Sequence, residues 1–451
     1  MGLTATLCER IAACHYEDLP PEALDAARRL VLDGIAVAVA GVSAEDAVPI
    51  MAKTLRALGG TPVATVIGCN LRIDPVRAAA INGAAMHVLD FEPMWSPATH
   101  ALSVTLPVAL ALAEARALPG RDVLAALVKG IEIQGWLREA SGQYTPDVLK
   151  FHPPGLVGPM GAVAVASHML RLTPVQMAHA FGIAGSRAGS LFGNVGTMTK
   201  SFHCGQAASV GLEAALLAEA GFTGDTETFE SPLGYANTFY TGTFKPEQML
   251  NYGRQPWRVV DPGYAIKMFP SQFGTHFVIT AGLALHPRVP SVEAIRSVTL
   301  TGPVMPYVNR PSPETGLSGK FSFQYTLASA LLDGKVGIHT FSDERLRAPD
   351  MQALLPKIEI VMDKDIPARF ETMHVRLRIE LNDGTVLETR CDGPRGMWGQ
   401  PKIDPADHLL KVRDCLSTAL APDSVEQGIS LASRIDSLES PDISTLMKLI
   451  G

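Results

Sequence analysis

The sequence predicts a mainly α-helical fold, with a large all-helical domain and a smaller α+β domain inserted before the C-terminal helices. Three observations carry this. Apolar residues recur at three- and four-residue spacing from the start to about residue 250. Ala and Gly crowd those segments, so helix can pack closely on helix with little room for strands. After about Gly263 the pattern changes to short alternating runs, and from about Pro405 helical spacing returns.

The elements follow in order. Leu3, Leu7 and Ile11 form one apolar face. Pro20-Pro21-Glu22 introduces a second helix, whose face is Leu24, Ala27, Val31, Ile35 and Ala38 and which closes at Gly41. Pro75 to Val88 is a third. Helical spacing also marks Val123–Trp136, Gly155–Leu170 and Ala207–Ala220. Thr173-Pro174-Val175-Gln176 reads as a capping box with proline in the first helical position, where its missing N–H costs nothing. In the inserted part, Val298-Thr299-Leu300 and Ile358–Val361 read as strands. Val375–Leu381 alternates strictly, meets Asn382-Asp383-Gly384 and resumes at Thr385–Thr389, which spells a β-hairpin. Phe321–Leu332 and Asp343–Leu355 read as helices among these strands. The domains are therefore expected at 1–263 with 400–451, and at 264–399.

Composition narrows the function. A chain of 451 residues exceeds a single core. Its 47% hydrophobic and 18% charged content points to deep burial and a further buried face between subunits. A net charge of −7 with no basic run argues against a nucleic-acid partner. Cys8, Cys14, Cys69, Cys204, Cys391 and Cys415 form no CxxC pair, which fits reduced thiols and a cytoplasmic protein. The N-terminus lacks the basic-then-apolar pattern of a secretory leader. The longest apolar run, Val104 to Ala113, is interrupted by Pro107 and falls short of the about 18 residues that span a bilayer. A soluble protein without a membrane partner is expected.

Several segments carry chemistry. Asn194 to Gly205 holds one lysine, Lys200, among small and hydroxylated residues. As a loop ammonium it is suited to gripping a carboxylate. His87 to His100 packs Asp90 and Glu92 between two histidines. Asp90 lies among Leu89 and Phe91, apolar neighbours that raise a carboxyl pKa and suit it to carrying protons. Lys150-Phe151-His152-Pro153-Pro154-Gly155 aims His152 at a helix N-terminus, where anions bind. Lys267 stands between Ile266 and Met268 ahead of Phe269-Pro270-Ser271-Gln272. Tyr325 ends Phe321-Ser322-Phe323-Gln324-Tyr325, after Asn309-Arg310-Pro311. No P-loop, GxGxxG, GxSxG or HExxH occurs, so the chemistry is expected to use side chains alone, without a cofactor. His87, Asp90 and His100 match no zinc-ligand spacing, and no metal is expected.

Taken together, "NGAAMHVLDFE", "PATH", "FHPPG", "GNVGTMTKSFHCGQAA", "GFTG", "IKMFP", "NRP" and "FSFQY", spanning residues 82 to 325, resemble the MmgE/PrpD family, as does "LDGIAVAVAG". That family includes 2-methylcitrate dehydratases, cis-aconitate decarboxylases and iminodisuccinate epimerases. The resemblance implies a helical domain with an α+β lid, a homodimer and no cofactor. By motif it assigns catalysis to Asp90, His100, His152 and Lys200, and substrate binding to Lys267 and Tyr325. The chain departs from the decarboxylase branch at Met94, where that branch has Thr, and at Gln272, where it has His. Gln272 is kept as a substrate-binding position. The expected function is a cofactor-independent lyase or isomerase that removes a proton α to a carboxylate of a small di- or tricarboxylate. Dehydration is slightly favoured over decarboxylation or epimerisation. The alternatives are a non-catalytic carboxylate-binding protein on the same scaffold and, more remotely, a zinc hydrolase.

Overall fold

The computed structural model describes residues 2–145, 148–398 and 400–451. The chain divides into two compact units at Ala265/Ile266 and Ile403/Asp404, so the last helices rejoin the unit that the N-terminus begins.

The first unit is helical. Its helices are α1 (Leu3–Ala13), α2 (Pro21–Ala44), α3 (Ala47–Arg56), α4 (Pro75–Val88), α5 (Leu102–Ala115), α6 (Gly120–Ser141), α7 (Pro153–Met169), α8 (Pro174–Gly185) and α9 (Thr199–Glu219). Prolines occupy the first position of α2, α4, α7 and α8, where a fixed φ favours the helix. The Thr173–Gln176 capping box starts α8. Helix α9 packs against α4 and α7, and α7 against α6. Glycine sets the α4–α9 crossing: a Cβ on Gly205 would lie 2.1 Å from the Ala80 carbonyl oxygen, and one on Gly83 would lie 3.0 Å from the Gly205 Cα.

Four features depart from expectation. Helix α9 begins at Thr199, eight residues before Ala207, so Lys200 belongs to a helix rather than a loop. The loop ends at Gly196, whose φ of +96° turns the chain, and the Lys200 N–H then closes on the Thr197 carbonyl at 3.1 Å. Pro107 lies inside α5 without ending it. Two small antiparallel ribbons lie among the helices, β1 (Ala64–Val66) with β2 (Leu71–Ile73), and β3 (Met94–Trp95) with β4 (Tyr264–Ala265). In the second unit the stretch expected as one helix over Asp343–Leu355 forms two, Asp343–Leu346 and Pro349–Leu354. Pro349 cannot donate to a preceding turn and holds Ala348 extended.

The second unit contains one four-stranded sheet in the order β6 (Ile358–Met362), β5 (Ile295–Gly302), β7 (Val375–Leu381), β8 (Val386–Cys391). The β5–β6 pair is parallel and the others antiparallel, with β7–β8 forming the hairpin. Helix α10 (Phe273–Leu285) packs on β7 and β8 and on α11 (Phe323–Asp333). The C-terminal α12 (Pro405–Leu416), α13 (Pro422–Ser433) and α14 (Ser440–Ile450) belong to the first unit, where α12 and α13 pack on α2. Among the described residues no single helix is long and apolar enough to cross a membrane.

Candidate active site

Three chain segments converge in the first unit. Helix α4 ends beside His87, and Asp90 follows with φ +51°, its N–H bonded to the His87 carbonyl at 2.8 Å. An aspartate tolerates this left-handed conformation better than most residues. The next segment, which carries His100, is fixed from below by two buried arginines. Arg258 Nη2 donates to the Ser96 carbonyl at 2.5 Å and Arg138 Nε to the Ala98 carbonyl at 3.1 Å. His152 is the N-cap residue of α7, its N–H bonded to the Ser190 carbonyl at 2.8 Å. Lys200 is the second residue of α9, and His203 follows one turn later.

Lys200 Nζ lies 2.8 Å from Asp90 Oδ2 and 2.7 Å from His87 Nε2. The other His87 nitrogen, Nδ1, lies 2.5 Å from Glu92 Oε1. His100 bridges the two acids, with Nδ1 3.1 Å from Glu92 Oε1 and Nε2 3.8 Å from Asp90 Oδ1. Its ring meets that of His87 edge-on at 4.5 Å. His152 stands 5.5 Å from the His87 ring, and its Nδ1 lies 3.3 Å from Nδ1 of His203. All of these side chains are buried.

The contacts settle the protonation pattern around His87. An ammonium can only donate, so Nε2 accepts from Lys200 and Nδ1 carries the hydrogen given to Glu92. Burial, with Lys200 adding to it against the pull of Glu92, holds His87 down to about 3. Burial and then the Lys200 charge hold His152 well below its ordinary range and bring His203 to about 4. Burial also lowers His100, although Glu92 opposes it. Burial alone would raise Glu92, but its contacts with His87 and His100 outweigh this and keep it well below the usual carboxylate range. A depressed Glu92 asks for charged rings, whereas depressed imidazoles ask for neutral ones. The Lys200 contact decides for neutral imidazoles around an ionised Glu92, with Lys200 supplying the compensating positive charge.

Some bonding capacity is left over. Among the described residues Glu92 Oε2 is buried without a hydrogen-bond partner, and His100 Nδ1, although close to Glu92 Oε1, is not aligned to bond it. Such groups cost about 1–3 kcal/mol each and concentrate where chemistry is done. His203 also lines a cleft of about 300 Å³, together with Gly155, Pro159, Ser190, Thr199 and Gln206. Nitrogens of His87, His100 and His152 lie within 4.8 Å of one another, as do ligand atoms of Asp90, Glu92 and His100. An ion on the first set would compete with Lys200 for His87 and meet its charge, which disfavours a cation there.

Asp90, His100, His152 and Lys200, the four expected catalytic residues, therefore come together. Lys200 does not stand in a loop, as the sequence suggested; it lies in the first turn of α9 and pairs with Asp90. Lys267, Gln272 and Tyr325 belong to the second unit. There Lys267 Nζ donates to the Ser271 carbonyl at 3.1 Å, and Gln272 caps α10 while giving its Nε2 hydrogen to Tyr307 Oη at 3.0 Å. The Tyr325 hydroxyl donates to the Thr340 carbonyl, and its ring is fully buried. Sequence reasoning considered His87 only as a zinc ligand and did not single out Glu92 or His203 for the site. The spacing of three from Lys200 to His203 is a usable signal once the helix register is known, whereas the turn after α4 brings Asp90 and His87 together.

Sequence profiles of the MmgE/PrpD N-terminal and C-terminal domains match residues 5–247 and 269–437. The chain is 33% identical over 437 residues to a cis-aconitate decarboxylase of Mus musculus, covering 94% of this chain and 88% of that protein. It is 31% identical over 461 residues to the cis-aconitate decarboxylase of Homo sapiens, covering 99% and 95%. A 2-methylcitrate dehydratase of Escherichia coli is 26% identical over 365 residues, covering 72% and 71%.

Proposed function

The chain belongs to the MmgE/PrpD family and is a lyase; from that premise we propose that it transfers a proton at the carbon α to a carboxylate of a small di- or tricarboxylate. The observation that carries this reading is the buried Lys200–Asp90 contact of 2.8 Å, set beside neutral imidazoles. In the proposed reaction Lys200 and His152 receive a substrate carboxylate, each charge-assisted contact being worth about 1.5–3 kcal/mol. His100 takes the α-proton on Nε2. Glu92, 3.1 Å from Nδ1, stabilises the imidazolium that forms, as a carboxylate does behind any catalytic histidine. The Asp90 carboxylate, 3.8 Å from Nε2, is placed to accept that proton from the imidazolium and return it. The Lys200 ammonium stabilises the carbanion-like charge that develops. Acid–base transfer contributes about 10²–10⁴ in rate, so the rest of the acceleration is assigned to charge placement.

In dehydration the carbanion formed by proton removal expels the β-hydroxyl, which takes up a proton and leaves as water; in decarboxylation CO2 leaves first and the carbanion left behind takes up a proton. The two reactions share the carbanion-like charge beside a carboxylate and a proton transfer at that carbon. Dehydration is slightly favoured as the family's best-known reaction, whereas the higher identity and coverage of the decarboxylase relatives lean the other way. Cis-aconitate and 2-methylcitrate are therefore the first substrates to test. Met94 and Gln272, the two departures from the decarboxylase motifs, weigh against the first. Turnover of either compound, followed by proton NMR, is expected in the parent protein and is expected to fall by about 10- to 100-fold in His152→Ala, the value of one charge-assisted contact. Full activity in that variant would remove His152 from the mechanism. Ligand-induced thermal stabilisation without turnover across a tricarboxylate panel would instead favour the non-catalytic binding protein.

A further inference from the structure

A second buried ionic group lies in the first unit, and the proposed chemistry leaves it unused. Asp33, in the middle of α2, is fully buried; His408 and Lys411 on α12 are 2% and 4% exposed. Lys411 Nζ donates to Asp33 Oδ1 at 2.8 Å and to Oδ2 at 3.1 Å. His408 Nε2 lies 2.8 Å from the same Oδ1, and its Nδ1 accepts from Arg29 Nε at 3.3 Å, so Nε2 carries the hydrogen and donates. Burial would push the Asp33 carboxyl up, but Lys411 and His408 outweigh it and hold Asp33 below its usual range. Lys411 also donates to the Phe91 carbonyl at 2.9 Å, and Nζ stands 4.1 Å above the Phe91 ring.

Phe91 is the residue between Asp90 and Glu92. We infer that Lys411, anchored by Asp33 and His408, is a positioning residue that fixes the Asp90–Glu92 turn through the Phe91 carbonyl and ring. The turn contains a left-handed Asp90, and such a conformation persists only where its surroundings over-determine it. On one side the Asp90 N–H is tied to the His87 carbonyl; on the other, Lys411 holds the Phe91–Glu92 peptide. Held at both ends, the turn fixes the directions in which the carboxylates leave the chain: Glu92 through the held peptide it belongs to, Asp90 through its own N–H and the fixed position of Phe91. A buried ion pair is a weak source of stability, since apolar residues of similar volume often do as well. What apolar residues lack is a directed bond to Phe91. The catalytic consequence rests on the roles proposed above for Asp90 and Glu92; the structural claim does not.

The test uses the full chain. Lys411→Met alone strands the Asp33 charge, so the principal variant is Asp33→Asn with Lys411→Met, which neutralises both. Hydrogen–deuterium exchange read by mass spectrometry is expected to quicken at least about tenfold in peptides covering residues 87–95, with a much smaller change in the flanking turns of α2 and α12. On whichever of cis-aconitate and 2-methylcitrate the parent turns over, kcat is expected to fall at least about tenfold while KM changes less than about threefold. Unchanged exchange in 87–95, or a loss confined to KM, overturns the inference. If the parent turns over neither compound, these two are removed as substrates, and the exchange comparison still decides the positioning role. Should the double variant not fold, Asp33→Asn alone loosens the anchor but keeps Lys411. Quickened exchange in 87–95 of that variant then supports the positioning role, and unchanged exchange overturns it.

Discussion

Lys200 Nζ must neutralise a buried carboxylate while leaving an imidazole uncharged, and its 2.8 Å and 2.7 Å contacts do both. From the sequence alone, Lys200→Ala is expected to fold normally and lose turnover by orders of magnitude. The structure adds a stability cost, because the substitution leaves Asp90 buried without this partner, a situation worth about 3–5 kcal/mol. Lys200→Ala should therefore melt well below the parent, and adding Asp90→Asn should restore part of the loss while both variants stay inactive. A double variant that melts no higher than Lys200→Ala would show that the pair does not matter to stability. The pH dependence follows from the imidazoles. His87 is near 3 when folded against about 6.5 when unfolded, so between these values the unfolded chain binds the proton and the native one does not. Stability should therefore fall as pH drops from about 6.5 towards 3, by about 1.4 kcal/mol per unit for one such group. His152 and Glu92 act in the same direction. Melting temperatures between pH 7.5 and 5 check this, and His152→Asn should flatten the slope. Asp90, His100, His152 and Lys200 were legible because their unusual company marks them in the sequence. His203 was not, because its place beside His152 depends on where α9 begins.

At the scale of elements, the site depends on how closely α4 and α9 approach. One brings His87 and the Asp90 turn, the other Lys200 and His203, and Gly83 and Gly205 allow the contact. Gly205→Ala would press a methyl onto the Ala80 carbonyl. It is expected to destabilise by about 1–3 kcal/mol and to lower kcat, because Lys200 moves with its helix. Unchanged turnover would mean that the site tolerates a wider crossing. Thr173→Ala, which removes the α8 cap, should cost about 1 kcal/mol and leave turnover alone, as calorimetry and a rate assay would report. Caps, proline starts and the Asn382-Asp383-Gly384 hairpin were legible because each is a local rule. The segment up to Gly205 was expected as a loop because the reason for Gly205 is a neighbouring helix, which local sequence does not show. The ribbons β1–β2 and β3–β4, with strands of two or three residues, are too short to display alternation.

At the scale of the whole molecule, the chain leaves the helical unit near Ala265 and returns near Asp404. The return helix α12 carries Lys411 to Phe91, so the last part of the chain supports a turn formed by its first hundred residues. We propose that the protein is a homodimer, from the family resemblance and the 47% hydrophobic content. Light scattering should give about twice the 48.0 kDa chain mass, and a clean monomer would contradict this. The central claim is proton transfer at the α-carbon, and one measurement reads it without presuming the product. The protein is incubated with cis-aconitate or 2-methylcitrate in D₂O and followed by NMR. Deuterium should appear at the carbon next to a carboxylate in substrate or product, and should not appear with Lys200→Ala/Asp90→Asn. Binding of both compounds with no deuterium in either would contradict it.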